Sequence, residues 1–302
     1  MEEFIASTLR SSVPLAYAGV GCLFAIRAGI FHLGIEGLML SSAFAAVGIA
    51  HETDSVLLAV AGALVVSAAL SVVYWATIDL LHADSIIAGL GLTTLSVGGA
   101  AFLLDVIFDQ RGRLDSGVGL PRPIKGAQAG ISSLVTDLSI LGWFAPLFVL
   151  LCWLVLRRTA FGLRITAVGS YSYGARAAGI RESRIRLHAM LCTSVGSSLA
   201  GVELALGGLR AFSEDLTGGR GFIALAAALF GQLNPIGTAF AALFFGSANA
   251  IGVVTQIHSV DVLPRPFILM TPFVITILFL TLSAIATRRA ARLRRERIVA
   301  ES

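Results

Sequence analysis

Two carboxylates stand where a mostly apolar chain has least reason to keep them. Glu36 lies in Leu33-Gly34-Ile35-Glu36-Gly37-Leu38, near the start of one apolar stretch, and Glu203 lies in Gly201-Val202-Glu203-Leu204, deep within another. A charge in hydrocarbon is expensive unless it is paired or wet, so each either lines a polar pathway or is held by a structural bond. For Glu36 the structural alternative is a first-turn carboxylate stabilised by the helix dipole. For Glu203, helical spacing gives a face shared with Gly196, Ala200 and Gly207, which packs against protein or opens to a cavity. Both readings stay open for both residues. Gln232, Asn234, Ser247 and Asn249 add uncharged polar groups further on. Such groups can bond sugar hydroxyls or base edges without a counter-ion. They can equally cap and join helices, and Asn234-Pro235 reads as a turn followed by a helix start. These six residues are the candidate pathway set.

The patterns that would mark catalysis are missing. There is no Gly-x-x-x-x-Gly-Lys-Ser/Thr loop to cradle phosphates, and Gly89-Leu90-Gly91 lies inside an apolar run without a strand-turn-helix context. The histidines are scattered and form no metal-binding pattern. Cys22, Cys152 and Cys192 are far apart within apolar runs, which reads as packing and not as a disulfide or metal set. The expectation is a chain that is no enzyme, with no metal and no cofactor of its own. Energy for any pumping would come from an ion gradient or another subunit.

The elements that must position these residues are membrane-spanning helices. The 302 residues are 56% hydrophobic and 13% charged, about half the charge of an ordinary soluble domain. The apolar runs are continuous and not alternating, which excludes a β-barrel and predicts an all-α, polytopic transmembrane helical bundle in one domain, 1–302. Nine segments are apparent, at 11–30, 33–50, 55–78, 86–108, 138–156, 188–208, 217–233, 235–256 and 267–286. A span needs about 20 apolar residues. The seventh is short, so it must be buried among other helices or be partly re-entrant. The net charge of +4 gathers at segment edges, not in a nucleic-acid patch. Seven arginines lie between Arg157 and Arg186 against one acid, Glu182, and six more follow Thr287. The positive-inside rule predicts that the loop 157–187 and the tail 287–302 face the cytoplasm. Span parity then places the N-terminus outside. The loop from Asp109 to Asp137 is expected outside, with room for a short surface helix.

A loop as long and polar as 157–187 can be a solvated linker resting on lipid headgroups. Its small-residue run, Ala175-Arg176-Ala177-Ala178-Gly179-Ile180, forms a short smooth helix better suited to a protein groove, and docking of a cytoplasmic partner is the reading adopted.

Five ordered stretches resemble the permease subunits of bacterial ABC importers in the branched-chain amino acid/ribose group, in particular the branch serving nucleosides with a basic-membrane-protein-type lipoprotein. They are Arg27 to Leu40, Ala83 to Leu90, Phe161 to Arg164 with Ala167 to Gly169, Ala175 to Ile180, and Gly218 to Ala226 continuing through Gly231 to Gly237. His32 stands where the motif usually has Asn, and Ser170-Tyr171-Ser172-Tyr173 replaces the usual turn before the docking helix. The resemblance implies a type II-like permease fold of about nine spans in the bacterial inner membrane. It implies a homo- or heterodimer with a sister permease, and two ATPase subunits that bind ATP and Mg. An extracytoplasmic substrate-binding lipoprotein would deliver the cargo. Ala175 to Ile180 would be the coupling helix. Expected cargo is nucleosides, with sugars or branched-chain amino acids as alternatives. A secondary transporter driven by ions through Glu36 and Glu203, or a non-transporting scaffold, are the rival classes.

Overall fold

The computed structural model describes residues 2–122 and 138–258, so the ninth segment, 267–286, and the tail, 287–302, lie outside the described residues. Where water is absent, a backbone must satisfy its polar groups within the segment, and the apolar runs accordingly become helices. They are α1 (Glu2–Arg27), α2 (Ile35–Thr53), α3 (Val56–Asp79), α4 (Ser85–Phe108), α5 (Ile140–Arg158), α6 (Ala160–Ser170), α7 (Ser172–Ala177), α8 (Glu182–Val202), α9 (Arg220–Phe230) and α10 (Pro235–His258). Side chains of Ser55, Asp84, Ser139 and Thr159 accept from backbone N–H groups at the starts of α3 to α6, which satisfies donors that the helix itself leaves open.

Among the described residues, six helices are long and apolar enough to cross a membrane: α1, α3, α4, α5, α8 with its extension to Leu209, and α10. The expectation of nine is therefore met only in its coarser form, a helical multi-span bundle. α2 falls short because Glu36 begins it and His51-Glu52-Thr53 ends it. α9 has 11 residues, about 17 Å of helix, and is entered by a non-helical segment.

The centre is built from α1 and α8. Buried residues make up 78% of the apolar window of α1 and 72% of that of α8, against 22% for α3, α4 and α5, which places the latter three at the periphery. Small residues bring the central helices together, as they must where lipid supplies no hydrophobic drive. A Cβ on Gly21 would meet the Gly196 Cα at 2.8 Å, and one on Gly196 would meet the Tyr17 carbonyl oxygen at 2.5 Å. The Thr193 hydroxyl donates to the Gly21 carbonyl at 3.0 Å at the same crossing. α10 approaches α1 where Gly246 faces Ser12, and α9 does so where Gly19 faces Ala224.

The two ends of the bundle differ. At one end β1 (Arg113–Asp115) pairs antiparallel with β2 (Ala211–Ser213), with Leu114 opposite Phe212. Both side chains are buried, in one cluster with Ala43, Ala46 and Val47 of α2. The strands were not expected; residues 123–137, where a surface helix was expected, lie outside the described residues. Two crossings, α5 and α8, separate the strands in sequence, so the pairing demands that both return to the same end. The other end carries α6 and α7. There Gly29, at φ +82°, lies against Gly169 of α6.

Gly196→Ala is expected to lower stability by about 1–3 kcal/mol through overpacking at the α1–α8 crossing. Gly98→Ala, where an added Cβ meets nothing within 4 Å, is the control. Thermal unfolding in detergent checks this, and equal melting temperatures for the two variants would remove the crossing from the list of tight contacts.

Candidate functional site

Among the described residues, the candidates Glu36, Glu203, Asn234 and Ser247 are held by separate hydrogen bonds in different parts of the bundle. Glu36 sits in the first turn of α2, 5% exposed. Its carboxylate accepts the N–H of Gly219 at 2.9 Å and that of Gly221 at 2.5 Å. These are the donors at the start of α9, the end of a helix that carries partial positive charge. The pairing is local in neither chain segment, and it joins α2 to the short helix that the sequence shows as incomplete. Gly221 must be glycine: a Cβ there would lie 2.7 Å from the Glu36 Cα and 2.5 Å from its Oε2. Gly218 and Gly219 have positive φ, which turns the chain into α9 without a steric cost. The Arg220 guanidinium folds back and donates to the carbonyls of Leu216 and Thr217 at 3.0 and 3.3 Å. The first-turn option read from the sequence thus describes Glu36 in part, since the dipole it meets belongs to α9 and not to its own helix.

Glu203 opens a seven-residue π-helical continuation of α8, Glu203–Leu209. Its Oε2 accepts the Ser139 hydroxyl at 2.6 Å, and Ser139 Oγ also caps α5 by accepting from Gly142 N–H at 3.0 Å. The Gly207 face takes up the carboxylate, where a Cβ would lie 2.7 Å from Oε1. Tyr17 donates to the Leu141 carbonyl at 2.7 Å beside it. Glu203 therefore carries a buried hydrogen bond that ties the widened turn of α8 to α5. The wider turn was not legible, because π-bulges have no periodic sequence signature.

Gln232 and Asn234 lie in the turn between α9 and α10. Gln232 is exposed, and Gln232 and Leu233 take positive φ. Asn234 Oδ1 accepts from Ile236 N–H at 3.4 Å, a helix-start contact. Arg27 pins this turn, its Nε and Nη2 donating to the Leu233 carbonyl at 3.0 and 2.6 Å. Ser247 donates to the Phe244 carbonyl in its own helix, and Ser247 and Asn249 are half-buried on α10. Thirteen residues of helix separate Asn234 from Ser247, about 20 Å. Two large apolar grooves flank the bundle, of about 730 Å³ between α1, α5 and α10 and about 650 Å³ between α2, α3 and α4. Neither is lined by any of the six candidates.

At the opposite end from β1 and β2, the run 175–180 forms the end of α7 and its following turn. Ala175 is buried, Arg176, Ala177, Ala178 and Gly179 are exposed, and Ile180 is half-buried. Gly179, at φ +77°, closes the helix while Ile180 N–H reaches the Ala175 carbonyl at 3.0 Å, a glycine stop that fixes the chain direction into α8. No group of three metal-ligating side chains occurs among the described residues.

The family model described as branched-chain amino acid transport system / permease component matches residues 4–283. The chain is 32% identical over 293 residues to the nucleoside ABC transporter permease protein NupC of Lactococcus lactis subsp. cremoris, covering 93% of this chain and 92% of the relative. It is 28% identical to the guanosine ABC transporter permease protein NupQ of Bacillus subtilis, covering 92% of this chain and 90% of that one. A putative glucose ABC transporter permease protein of Haloferax volcanii, TsgC13, is also 28% identical, covering 86% and 79%.

Glu36→Ala strips two charge-assisted acceptors from buried donors and is expected to cost about 3 kcal/mol or more. Limited proteolysis between 214 and 219 and thermal unfolding measure it against Ser247→Ala, which loses only a bond within its own helix. Similar losses for the two variants would dismiss Glu36 as a clamp.

Proposed function

We propose, from the premise that this chain belongs to the branched-chain amino acid transport system / permease component family and is a permease component of an ABC transporter, that it moves nucleosides inward across a bacterial plasma membrane. The observation that carries the cargo is the near end-to-end match to a nucleoside permease, seconded by a guanosine permease. The glucose relative supports sugars as the second reading.

ATP and Mg bind separate ATPase subunits, and this chain hydrolyses nothing. The exposed 176–179 surface, held to the bundle by one buried residue of α7, suits docking into such a subunit. Arg27, Arg157, Arg158, Arg164, Arg176, Arg181, Arg184 and Arg186 gather toward the α6–α7 end, so that end faces the cytoplasm. The N-terminus and the β1–β2 pair then face outside, and the basic tail faces the cytoplasm. A sister permease completes the pathway by dimerisation, and among the described residues neither large groove is lined by the six polar candidates. A binding lipoprotein supplies cargo and selectivity, so the pathway needs few strong polar contacts. Conformations biased by ATP and by the loaded lipoprotein alternate access. An ion-coupled route through Glu36 and Glu203 fits poorly, because both carboxylates are engaged in buried hydrogen bonds.

Uptake of radiolabelled guanosine, glucose and leucine by cells expressing the full system tests cargo. Guanosine uptake that stops on ATP depletion is expected; uptake surviving that depletion would overturn the ABC mechanism. Ala177→Asp is expected to abolish uptake at normal membrane abundance while ATP hydrolysis becomes unresponsive to cargo, and normal uptake by this variant would refute docking through α7.

A further inference from the structure

α7 by itself is poorly anchored. It has six residues and one buried side chain, Ala175. Besides Ala175, a chain of charges ties it to the bundle. Arg176 Nε lies 3.5 Å from Glu182 Oε2, across the turn that Gly179 closes. Glu182, the first residue of α8, takes Arg186 Nη2 on its other oxygen at 2.7 Å. The same guanidinium donates from Nη1 to Asp79 Oδ1 at 3.1 Å, and Asp79 is the last residue of α3. One turn earlier on α3, Trp75 Nε1–H donates to the Ser183 carbonyl at 3.1 Å. Asp79, Glu182 and Arg186 have side chains 9%, 16% and 24% exposed, so the two Arg186 pairs are shielded, unlike the surface pair of Arg113 with Asp115 at 63% and 70%, while Arg176, itself 63% exposed, joins them from the surface. Shielding matters, since exposed pairs contribute little, whereas breaking a shielded one leaves a charge uncompensated.

We propose that Arg176, Glu182, Arg186 and Asp79 form a relay that transmits displacement of α7 to α3, making Asp79 and Arg186 positioning residues for transport. The inference rests on the reading of α7 as the ATPase-docking segment. The relay has a specific output. α3 is a peripheral helix, and it continues through the turn at 80–84 into α4, which Asp84 starts by accepting from Ile86 and Ile87 N–H groups. A push on α7 therefore reaches the α3–α4 hairpin by a route that does not require the tightly packed α1–α8 crossing to deform. Arginine suits the junction because its planar fork reaches two carboxylates on different helices at once, which an ammonium does not do with the same geometry.

The experiment uses the complete complex, this chain with its ATPase, sister permease and loaded lipoprotein, reconstituted in proteoliposomes with radiolabelled guanosine. The readout is guanosine imported per ATP hydrolysed, normalised to assembled complex. Asp79→Asn and Arg186→Gln are each expected to lower that ratio about fivefold or more. The double variant should be no worse than either alone, as for residues acting in one unit. Asp79→Glu, which keeps the charge, should recover most of the ratio, and Arg186→Lys should fall between. An unchanged ratio in Asp79→Asn would overturn the relay while leaving docking intact, provided Ala177→Asp uncouples in the same vesicles. If Ala177→Asp leaves the ratio unchanged, docking through α7 falls first and the relay with it. Failure of both Asp79→Asn and Arg186→Gln to assemble would also overturn transmission, since the pair would then be a fold clamp.

Discussion

The close approach of α1 and α8 at Gly21 and Gly196 is the constraint on which the other contacts depend. In lipid, helices gain nothing from hiding apolar surface from one another, so contact must come from dispersion at short range and from hydrogen bonds. The missing Cβ atoms supply the first and Thr193, bonded to Gly21, supplies the second. Three further helices are placed against this pair. α10 follows α1 at Gly246, α2 rests on α8 at Gly201, and α9 meets α1 at Gly19. Substituting any of these glycines separates helices that share other neighbours, so the packing is cooperative and not a sum of pairs.

The two intramembrane carboxylates follow from this packing. A half-length helix such as α9 leaves N–H donors inside the bundle, where no water is at hand to take them. Glu36 meets that need, and Gly221 gives its carboxylate room to approach, while Gly218 and Gly219 turn the chain at positive φ. Glu203 answers a different need. The π-helical turn widens α8, and its carboxylate bonds the capping serine of α5, so a local irregularity is tied to the neighbour it displaces. Both carboxyl groups meet oriented donors, which is cheaper than leaving either polar group or donor alone.

Much of the architecture was legible because hydropathy reports directly on burial in lipid. The starts of α3, α4 and α5 fall within a few residues of the apolar segments, and the short seventh segment did announce an incomplete helix. Glycine and proline clusters at 218–221 and 234–235 marked its two ends. What remained hidden depends on long-range pairing. Arg113-Leu114-Asp115 is too short to show strand alternation, and its partner is about a hundred residues away. Asp79 and Arg186 read singly as edge charges, since nothing local says that two helix ends meet. The partner of Glu36 was similarly invisible, although a Gly-rich run feeding a short apolar helix was a signal for a buried helix start wanting an anion. The amides at 232, 234 and 249 looked like one polar cluster because they are near in sequence, whereas helical rise separates them along the bundle axis.

The distribution of tight and loose packing bears on how such a bundle could move. Glycine contacts on α1, α8, α9 and α10, and those of Gly37 and Gly89 where α2 meets the first half of α4, put an added methyl group against backbone, and backbone does not yield. On α4, an added Cβ at Gly91, Gly98 or Gly99 meets nothing within 4 Å, and the α2–α3–α4 groove stays open. Packed cores shift between discrete arrangements and do not deform continuously. The central helices are therefore suited to move as one block, while the second half of α4 has room to shift. The charges joining α3 to α8 and α7 lie at the end of the bundle that carries α7, and there a polar contact can exchange partners at lower cost than an interlocked glycine crossing can slide.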